Sequence, residues 1–223
     1  MVPVVAIVGV SGSGKTTLVE KVVAELTERG YRVGTLKHDV HGFDMDCEGK
    51  DSWRHKQAGA EAVVLSAPGK VALIKDVDGD LAPRLLASTY HSDMDIVIAE
   101  GFKRAPIPKI EVIRKACSMK PVCAKDRNLI AYVSDIRLRG RIPRYDLDDG
   151  GGVADLIEER FLSGPEAPES QGISLIVDGR RVTLKPFIAG LLRDAVAGMT
   201  RNLKGCEDPT IIELRIRRTD RRH

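Results

Sequence analysis

Continuous apolar runs alternate along the chain with segments of helical periodicity. Residues 4–8 read VVAIV, and residues 94–101 contain a second such run, DIVIA. Unbroken runs of this length are typical of strands buried on both faces of a parallel sheet. Between them, residues 16–29 place apolar side chains at helical spacing, and Gly30 is a suitable residue to end that helix.

The remaining pattern up to residue 162 continues the alternation. It predicts further strands at 31–37, 61–66, 108–113 and 128–135, and helices at 50–60, 81–91 and 153–162. Residues 70–77 are predicted to pair with the strand at 61–66. Alternating strands and helices with apolar strands predict a three-layer α/β fold with a mostly parallel sheet.

Composition changes after residue 162. Residues 163–172, SGPEAPESQG, contain no apolar run and are predicted to be a linker. Residues 173–184 then predict a hairpin, in which Asp178-Gly179 suits a two-residue type I′ turn. A helix at 186–203 and a last strand at 210–216 complete a small α+β module of ββαβ order. The predicted organisation is a domain at 1–162, the linker, and a module of unknown role at 173–223 with a basic tail.

Composition and charge restrict the classes of function. The 223 residues are 43% hydrophobic and 30% charged with a net charge of +3, which is typical of a soluble globular protein. This mild charge predicts no nucleic-acid partner. The first residues lead directly into a strand, and no run reaches membrane-spanning length, so we expect a cytoplasmic protein without membrane contact. Four irregularly spaced cysteines predict neither a disulfide framework nor a zinc knuckle.

A phosphate-binding motif follows the first strand. Residues 9–16, GVSGSGKT, match G-x-x-x-x-G-K-[ST] between a buried strand and a helix, which is the context that the P-loop motif requires. Backbone N–H groups of such a loop point at phosphate oxygens. We expect Lys15 to reach the β- and γ-phosphates and Thr16 to hold Mg²⁺. The motif therefore predicts a P-loop NTPase fold.

A second magnesium-side group is expected at the end of another buried strand. Ligands bind outside the carboxyl ends of parallel strands, so Glu100 is predicted to contact the Mg²⁺ shell or a catalytic water, whereas Asp95 at the opposite end makes a structural contact. The usual guanine-reading sequence [NT]-K-x-D is absent. LKHD at 36–39 and CAKDR at 123–127 are imperfect matches, so the sequence leaves base identity open.

Residues 38–55, HDVHGFDMDCEGKDSWRH, combine histidines, carboxylates and one cysteine. A zinc site needs three or four converging ligands. An aspartate-rich loop favours Mg²⁺ instead, because magnesium prefers oxygen ligands. A solvated polar loop is the plain alternative. The position of the stretch after the second strand, at the edge where ligands collect, favours a ligand-binding loop.

Three segments in order resemble one family. GVSGSGKTTL, LKHDVHGFDMDCEGKDSWRHKQAGA and DIVIAEGFKRAPIPKIEV are similar to segments of the bacterial molybdopterin-guanine dinucleotide biosynthesis protein B. The resemblance covers roughly residues 3–161. It implies a homodimeric GTP-binding protein with weak GTPase activity, and it implies GTP and Mg²⁺ as cofactors. It also implies a partner, the molybdenum cofactor guanylyltransferase, which joins GMP to molybdopterin.

The resemblance also implies a set of site residues. The nucleotide loop comprises Gly9, Ser11, Gly12, Ser13, Gly14, Lys15, Thr16 and Thr17. The loop beside the nucleotide supplies His38, Asp39, Asp44, Asp46, Lys50, Asp51 and Arg54, and the strand-end signature EGFK supplies Glu100 and Gly101. Lys15, Glu100 and Asp46 are the catalytic candidates, and Thr16, Asp46 and Glu100 are the metal candidates.

Two other functions fit the same fold. A small-molecule kinase would use RLRGR at 137–141 as lid arginines over a transferred phosphoryl group, although a solvated basic loop explains the same residues. A non-catalytic nucleotide switch would use the C-terminal module to read the bound state. Phosphate release without a phosphorylated product distinguishes the GTPase from the kinase.

Overall fold

The computed structural model describes residues 2–162 apart from 41, 44 and 139, and then residues 173, 175–177, 180–182, 184, 186–201, 203, 212 and 214. The chain divides into two compact units, Met1–Leu162 and Ser163–His223. The predicted linker at 163–172 lies outside the described residues.

The first unit contains eight strands and four α-helices among its described residues. In chain order these are β1 (Val4–Gly9), α1 (Lys15–Glu28), β2 (Val33–Lys37), α2 (Asp51–Gln57), β3 (Ala62–Ala67), β4 (Lys70–Lys75), α3 (Pro83–Tyr90), β5 (Ile96–Glu100), β6 (Lys109–Ile113), β7 (Leu129–Ser134), β8 (Arg144–Tyr145) and α4 (Gly150–Ile157). The elements predicted from the pattern in this unit are confirmed. Strand β8 and a π-helical turn at Glu158–Leu162 were not predicted.

Six strands form one parallel sheet in the order β2-β5-β1-β6-β7-β8. Its register pairs Ile7 with Glu100 on one side of β1 and Gly9 with Val112 on the other. Because all six strands are parallel, their carboxyl ends share one edge, and the loops that follow them share it too. Strands β3 and β4 form a separate antiparallel hairpin.

Apolar side chains cover both faces of the sheet. On one face, Leu18 and Val22 of α1 and Val153 of α4 pack against Ile7 and Ile98. On the other face, Ala87 of α3 belongs to a second buried cluster with Val8, Val97 and Phe102. These two clusters make the three predicted layers, because alternate side chains of each buried strand enter opposite clusters.

Two buried charged groups hold the segments that flank β6 and β7. Lys109 is fully buried, and its Nζ lies 2.7 Å from Asp126 Oδ2. Hydrogen bonding from Lys109 holds the pKa of Asp126 below its usual range. Glu111 accepts hydrogen bonds from the amides of Val122 and Cys123, while burial raises the pKa of its carboxyl group. Glu111 therefore fixes backbone outside the strands, and Lys109 holds the Asp126 side chain.

The second unit contains, among its described residues, the antiparallel strands β9 (Leu175–Val177) and β10 (Arg180–Val182) and the helix α5 (Pro186–Arg201). The predicted hairpin and helix are confirmed. The Asp178-Gly179 turn lies outside the described residues, as does nearly all of the predicted strand at 210–216, which stays a prediction. Within the described part of the chain, no helix combines the length and apolarity needed to cross a membrane.

Candidate functional site

The P-loop lies between β1 and α1, at the carboxyl edge of the sheet. Gly9 has a φ of +154°, and a Cβ added there would lie 2.5 Å from Val112 O and 2.7 Å from Ser13 Oγ. A side chain at this position is therefore excluded by both backbone conformation and contact. Ser13 is fully buried, and its Oγ has no hydrogen-bond partner among the described residues. Ser11 and Gly12 are exposed on the loop, and Thr17 is exposed in the first turn of α1.

Lys15 is the first residue of α1, and its side chain turns back over the loop. Its Nζ donates to Val10 O at 2.9 Å. Partial burial lowers the pKa of Lys15, Glu100 opposes that effect, and the positive charges of Lys103 and Lys37 lower the pKa further. Lys37 and Lys103 therefore act electrostatically on Lys15 at the loop, where phosphate would bind as a counter-charge.

The two metal candidates at the carboxyl edge are in direct contact. Thr16 Oγ1 donates to Glu100 Oε2 at 3.0 Å. Thr16 lies in the first turn of α1, and Glu100 ends β5, the strand beside β1. A hydroxyl and a carboxylate are hard oxygen ligands of the kind that Mg²⁺ prefers. Asp95, at the opposite end of the strand region, accepts hydrogen bonds from Arg32 N and Arg32 Nη2, which confirms its predicted structural contact.

His38 connects the ends of two strands. Its backbone N–H donates to Glu100 O at 3.0 Å, and its Nε2 lies 2.9 Å from Asp80 Oδ2. Its ring packs on Phe102, with ring centroids 4.7 Å apart. A Cβ added at Gly101, whose φ is +98°, would lie 3.1 Å from His38 Cβ, so this packing requires glycine there. The predicted ligand His38 thus also positions the Glu100 backbone.

Asp46 is bound within its own loop. Its Oδ1 accepts hydrogen bonds from Cys47 N at 2.9 Å and Ser52 Oγ at 2.8 Å. Its Oδ2 is buried and has no hydrogen-bond partner within the described residues. The described hydrogen bonds do not join Asp46 to Thr16 or Glu100. The carboxylate therefore fixes the approach to α2 in this structure.

The other candidates of the loop beside the nucleotide are on or before α2. Lys50 is the N-cap residue of α2, and Arg54 Nη1 lies 4.0 Å from Asp51 Oδ1 on an exposed face. The hydrogen bonds and ion pairs of the described residues do not link these three side chains to the P-loop. Asp39 lines a cleft beside β2, whereas Asp44 lies outside the described residues.

That cleft has a volume of about 1140 Å³ and lies between the hairpin and the end of β2. Its lining is mostly apolar and includes Val40, Phe43, Met45, Val71, Leu73 and Tyr90. All six side chains are more than two-fifths exposed. Large exposed apolar surfaces are typical of interaction and ligand-binding sites.

Two cations at the carboxyl edge were missed by sequence reasoning. Lys37 ends β2, and Lys103 follows β5, and both lower the pKa of Lys15. The available signal was that Lys37 ends a predicted strand and Lys103 follows another. No group of three histidine, cysteine or carboxylate side chains in the described ranges is arranged to hold a metal ion. The described cysteines Cys47, Cys117 and Cys123 are free thiols.

The parallel sheet, the P-loop after its central strand and the Thr16–Glu100 pair define a P-loop NTPase-like fold. The sequence model of the family described as molybdopterin guanine dinucleotide synthesis protein B matches residues 4–135, more than half of the chain. The chain belongs to this family, which confirms the resemblance.

Relatives of known name agree with that assignment. A protein of Haemophilus influenzae named molybdopterin-guanine dinucleotide biosynthesis adapter protein is 37% identical over 70% of this chain and 88% of its own length. An Escherichia coli protein of the same name is 36% identical over 71% of this chain and 93% of its own length. The crystal structure of Bacillus subtilis MobB superposes with a TM-score of 0.59 at 30% identity, covering 73% of this chain and 99% of that chain.

Proposed function

We propose that this chain is a GTP-binding adapter with slow GTPase activity. It assists the molybdenum cofactor guanylyltransferase, which joins GMP to molybdopterin. The proposal of nucleotide binding rests on the contact between Thr16 and Glu100, which lies beside the P-loop lysine. The adapter role is supported by the names of the relatives. Their matched segments are long enough to span most of the first unit.

The P-loop and its lysines would hold the triphosphate. The loop presents backbone N–H groups and the amino end of α1, both of which favour anions. Lys15 Nζ, which donates to Val10 O in this structure, could exchange that carbonyl for phosphate oxygens. Lys37 and Lys103 add positive charge at the same place. Charge-assisted hydrogen bonds of this kind contribute about 1.5–3 kcal/mol each.

Thr16 and Glu100 would hold Mg²⁺, directly or through water. Bound by these two residues, Mg²⁺ would supply positive charge that offsets the negative charge of the phosphates during hydrolysis. The carboxylate of Glu100 could orient an attacking water, because it is half-buried beside Thr16 and Lys15.

Two measurements test the proposal. Isothermal titration of GTP in Mg²⁺, repeated in EDTA, measures nucleotide binding and its metal dependence. A GMP-transfer assay with the purified guanylyltransferase and molybdopterin, with and without this chain, measures assistance. Binding without any rise in transferred GMP would refute the adapter role, and absence of nucleotide binding would refute the whole proposal.

Asp46 is proposed to contribute to the Mg²⁺ shell. On that basis Asp46→Asn slows GTP hydrolysis and weakens its Mg²⁺ dependence, because the variant keeps size but loses negative charge. Ser52→Ala is the matched control, since it removes the Ser52 Oγ–Asp46 Oδ1 hydrogen bond and keeps the carboxylate. Equal kinetic losses in both variants would assign Asp46 to loop positioning alone.

We further propose that the chain forms a homodimer through the β3–β4 hairpin. An isolated two-stranded hairpin is at best marginally stable in water. Here the cross-strand pair Val64–Leu73 is 62% and 42% exposed, and Val71 is 68% exposed. Apolar side chains on a separate hairpin are stabilised when another surface covers them.

The hairpin proposal predicts the oligomeric state of a surface variant. Leu73→Asp places a charge on the hairpin and is expected to convert the dimer to a species with the 24.4 kDa mass of one chain. Analytical ultracentrifugation measures that change. Val122→Asp is the control, because Val122 is also an exposed apolar residue, 49% accessible, but lies in the loop after β6. A wild-type chain that sediments as a monomer would contradict the proposal.

A further inference from the structure

The carboxyl edge of the sheet extends to both sides of the P-loop. Glu100 and Lys37 lie on the side of β5 and β2, whereas β6 and β7 lie on the other side of β1. The end of β7 is two strand spacings from β1, about 10 Å. This separation is comparable with the reach of a nucleoside triphosphate from its β-phosphate to its base.

One loop spans this separation and contacts both ends. Residues 114–118 follow β6. The Cys117 thiol donates to Gly12 O of the P-loop at 3.2 Å, and Lys115 N donates to Asp135 Oδ1 at 2.8 Å. The loop therefore places Asp135 at a fixed position relative to the phosphate site.

The backbone on either side of Asp135 is also held. Ser134, the last residue of β7, is fully buried, and its Oγ accepts a hydrogen bond from Ile136 N at 3.1 Å. Arg144 Nη1 donates to Ser134 O at 2.7 Å. Asp135 itself is exposed, and its only hydrogen bond in the described part of the chain is the one from Lys115 N. The carboxylate is thus positioned by its neighbours and has acceptor capacity left for a ligand.

The other aspartates that resemble a guanine reader in sequence are placed elsewhere. Asp126 precedes β7, at the amino edge of the sheet, and its carboxylate is paired with Lys109 and hydrogen-bonded by Asn128. Asp39 follows β2, which lies beyond β5 on the opposite side of β1. Asp135 alone among these three follows a strand on the β6–β7 side.

We propose that Asp135 reads the base of the bound nucleotide and selects guanine. This inference rests on the proposed nucleotide binding and adds the group that gives it base specificity. Guanine presents two donors on one edge, N1–H and the 2-amino group, and an ionised carboxylate with two oxygens can accept both. Adenine presents an unprotonated N1 on the corresponding edge, which a carboxylate repels. Such a mismatch leaves a polar group without a partner, which is costly.

Replacing Asp135 by asparagine tests this role, because it should weaken binding of one nucleotide and strengthen binding of another. Asp135→Asn keeps an oxygen for Lys115 N but replaces the second acceptor by an amide donor. That donor suits xanthine, which carries a carbonyl oxygen in place of the 2-amino group of guanine. We expect the affinity for GTP to fall about 10- to 100-fold and the affinity for xanthosine triphosphate to rise by a similar factor.

The experiment measures binding of GTP, ATP and xanthosine triphosphate to the full chain, with Mg²⁺, for the wild type, Asp135→Asn and Asp93→Asn. Asp93 is an exposed aspartate before β5, at the amino edge, so its substitution is expected to change none of the affinities. Preference of the wild type for GTP over ATP, with the exchange of specificity in Asp135→Asn, supports the inference.

Four results would overturn it. Equal affinity of the wild type for GTP and ATP, or loss of GTP binding in Asp135→Asn without a gain for xanthosine triphosphate, refutes base reading and leaves the proposed function intact. Unchanged GTP affinity in Asp135→Asn also refutes base reading and leaves the proposed function intact. A wild type that binds none of the three nucleotides refutes the proposed function together with this inference.

Discussion

Lys15→Ala is expected to weaken Mg²⁺-GTP binding about 100-fold, since one charge-assisted hydrogen bond to phosphate contributes about 1.5–3 kcal/mol. The fold should remain, because Lys15 is half-buried and its side chain makes one hydrogen bond among the described residues, to Val10 O. Loss of that neutral-acceptor contact should cost about 1 kcal/mol of unfolding free energy at most. Titration calorimetry measures the affinity, and thermal unfolding measures the stability.

Lys21→Ala is the matched control for this prediction. Lys21 lies on the same helix, and its Nζ pairs with Asp148 at 2.5 Å, away from the loop. The control removes the same charge from α1, so general electrostatic effects appear equally in both variants. We expect the nucleotide affinity of Lys21→Ala to match that of the wild type. An unchanged affinity in Lys15→Ala would remove the basis for the phosphate site.

The sequence was most informative where burial on both faces left a continuous apolar run. Strands β1 and β5 were predicted because each buries its whole central segment in the sheet. The two-residue strand β8, Arg144–Tyr145, carries no hydrophobic pattern and was missed, since it joins the sheet through two backbone pairs with β7. The π-helical turn after α4 was missed because its sequence continues the helical pattern.

Part of the site was also predictable from local sequence. The motif and the carboxyl-edge rule placed Glu100 beside Thr16, because both depend on local sequence and on strands being parallel. The positions of Lys37 and Asp135 depend instead on strand order, which puts β2 and β7 on opposite sides of β1. Strand order arises from long-range packing that a local pattern does not encode. Hence the Thr16–Glu100 contact was predicted, whereas the placement of Lys37 and Asp135 on opposite sides of β1 was not.

Glu100→Gln is expected to slow GTP hydrolysis about 100-fold, which is the typical contribution of a positioned acid or base. The amide keeps the size of the side chain and an acceptor for Thr16 Oγ1, but it loses the charge that attracts Mg²⁺ and activates water. Single-turnover release of phosphate measures the rate. Unchanged hydrolysis would assign Glu100 to a structural role.

The same variant has an electrostatic consequence that a structural role would not produce. Glu100 raises the pKa of Lys15, while burial lowers it, so removing the carboxylate lowers that pKa further. In the proposed site, Lys15 would bind phosphate in its charged form. As pH rises, nucleotide affinity is lost when Lys15 deprotonates, and in Glu100→Gln this loss should therefore begin at lower pH than in the wild type. Asp95→Asn, in which the altered carboxylate lies before the start of β5 and holds Arg32, should keep both the wild-type rate and the wild-type pH profile.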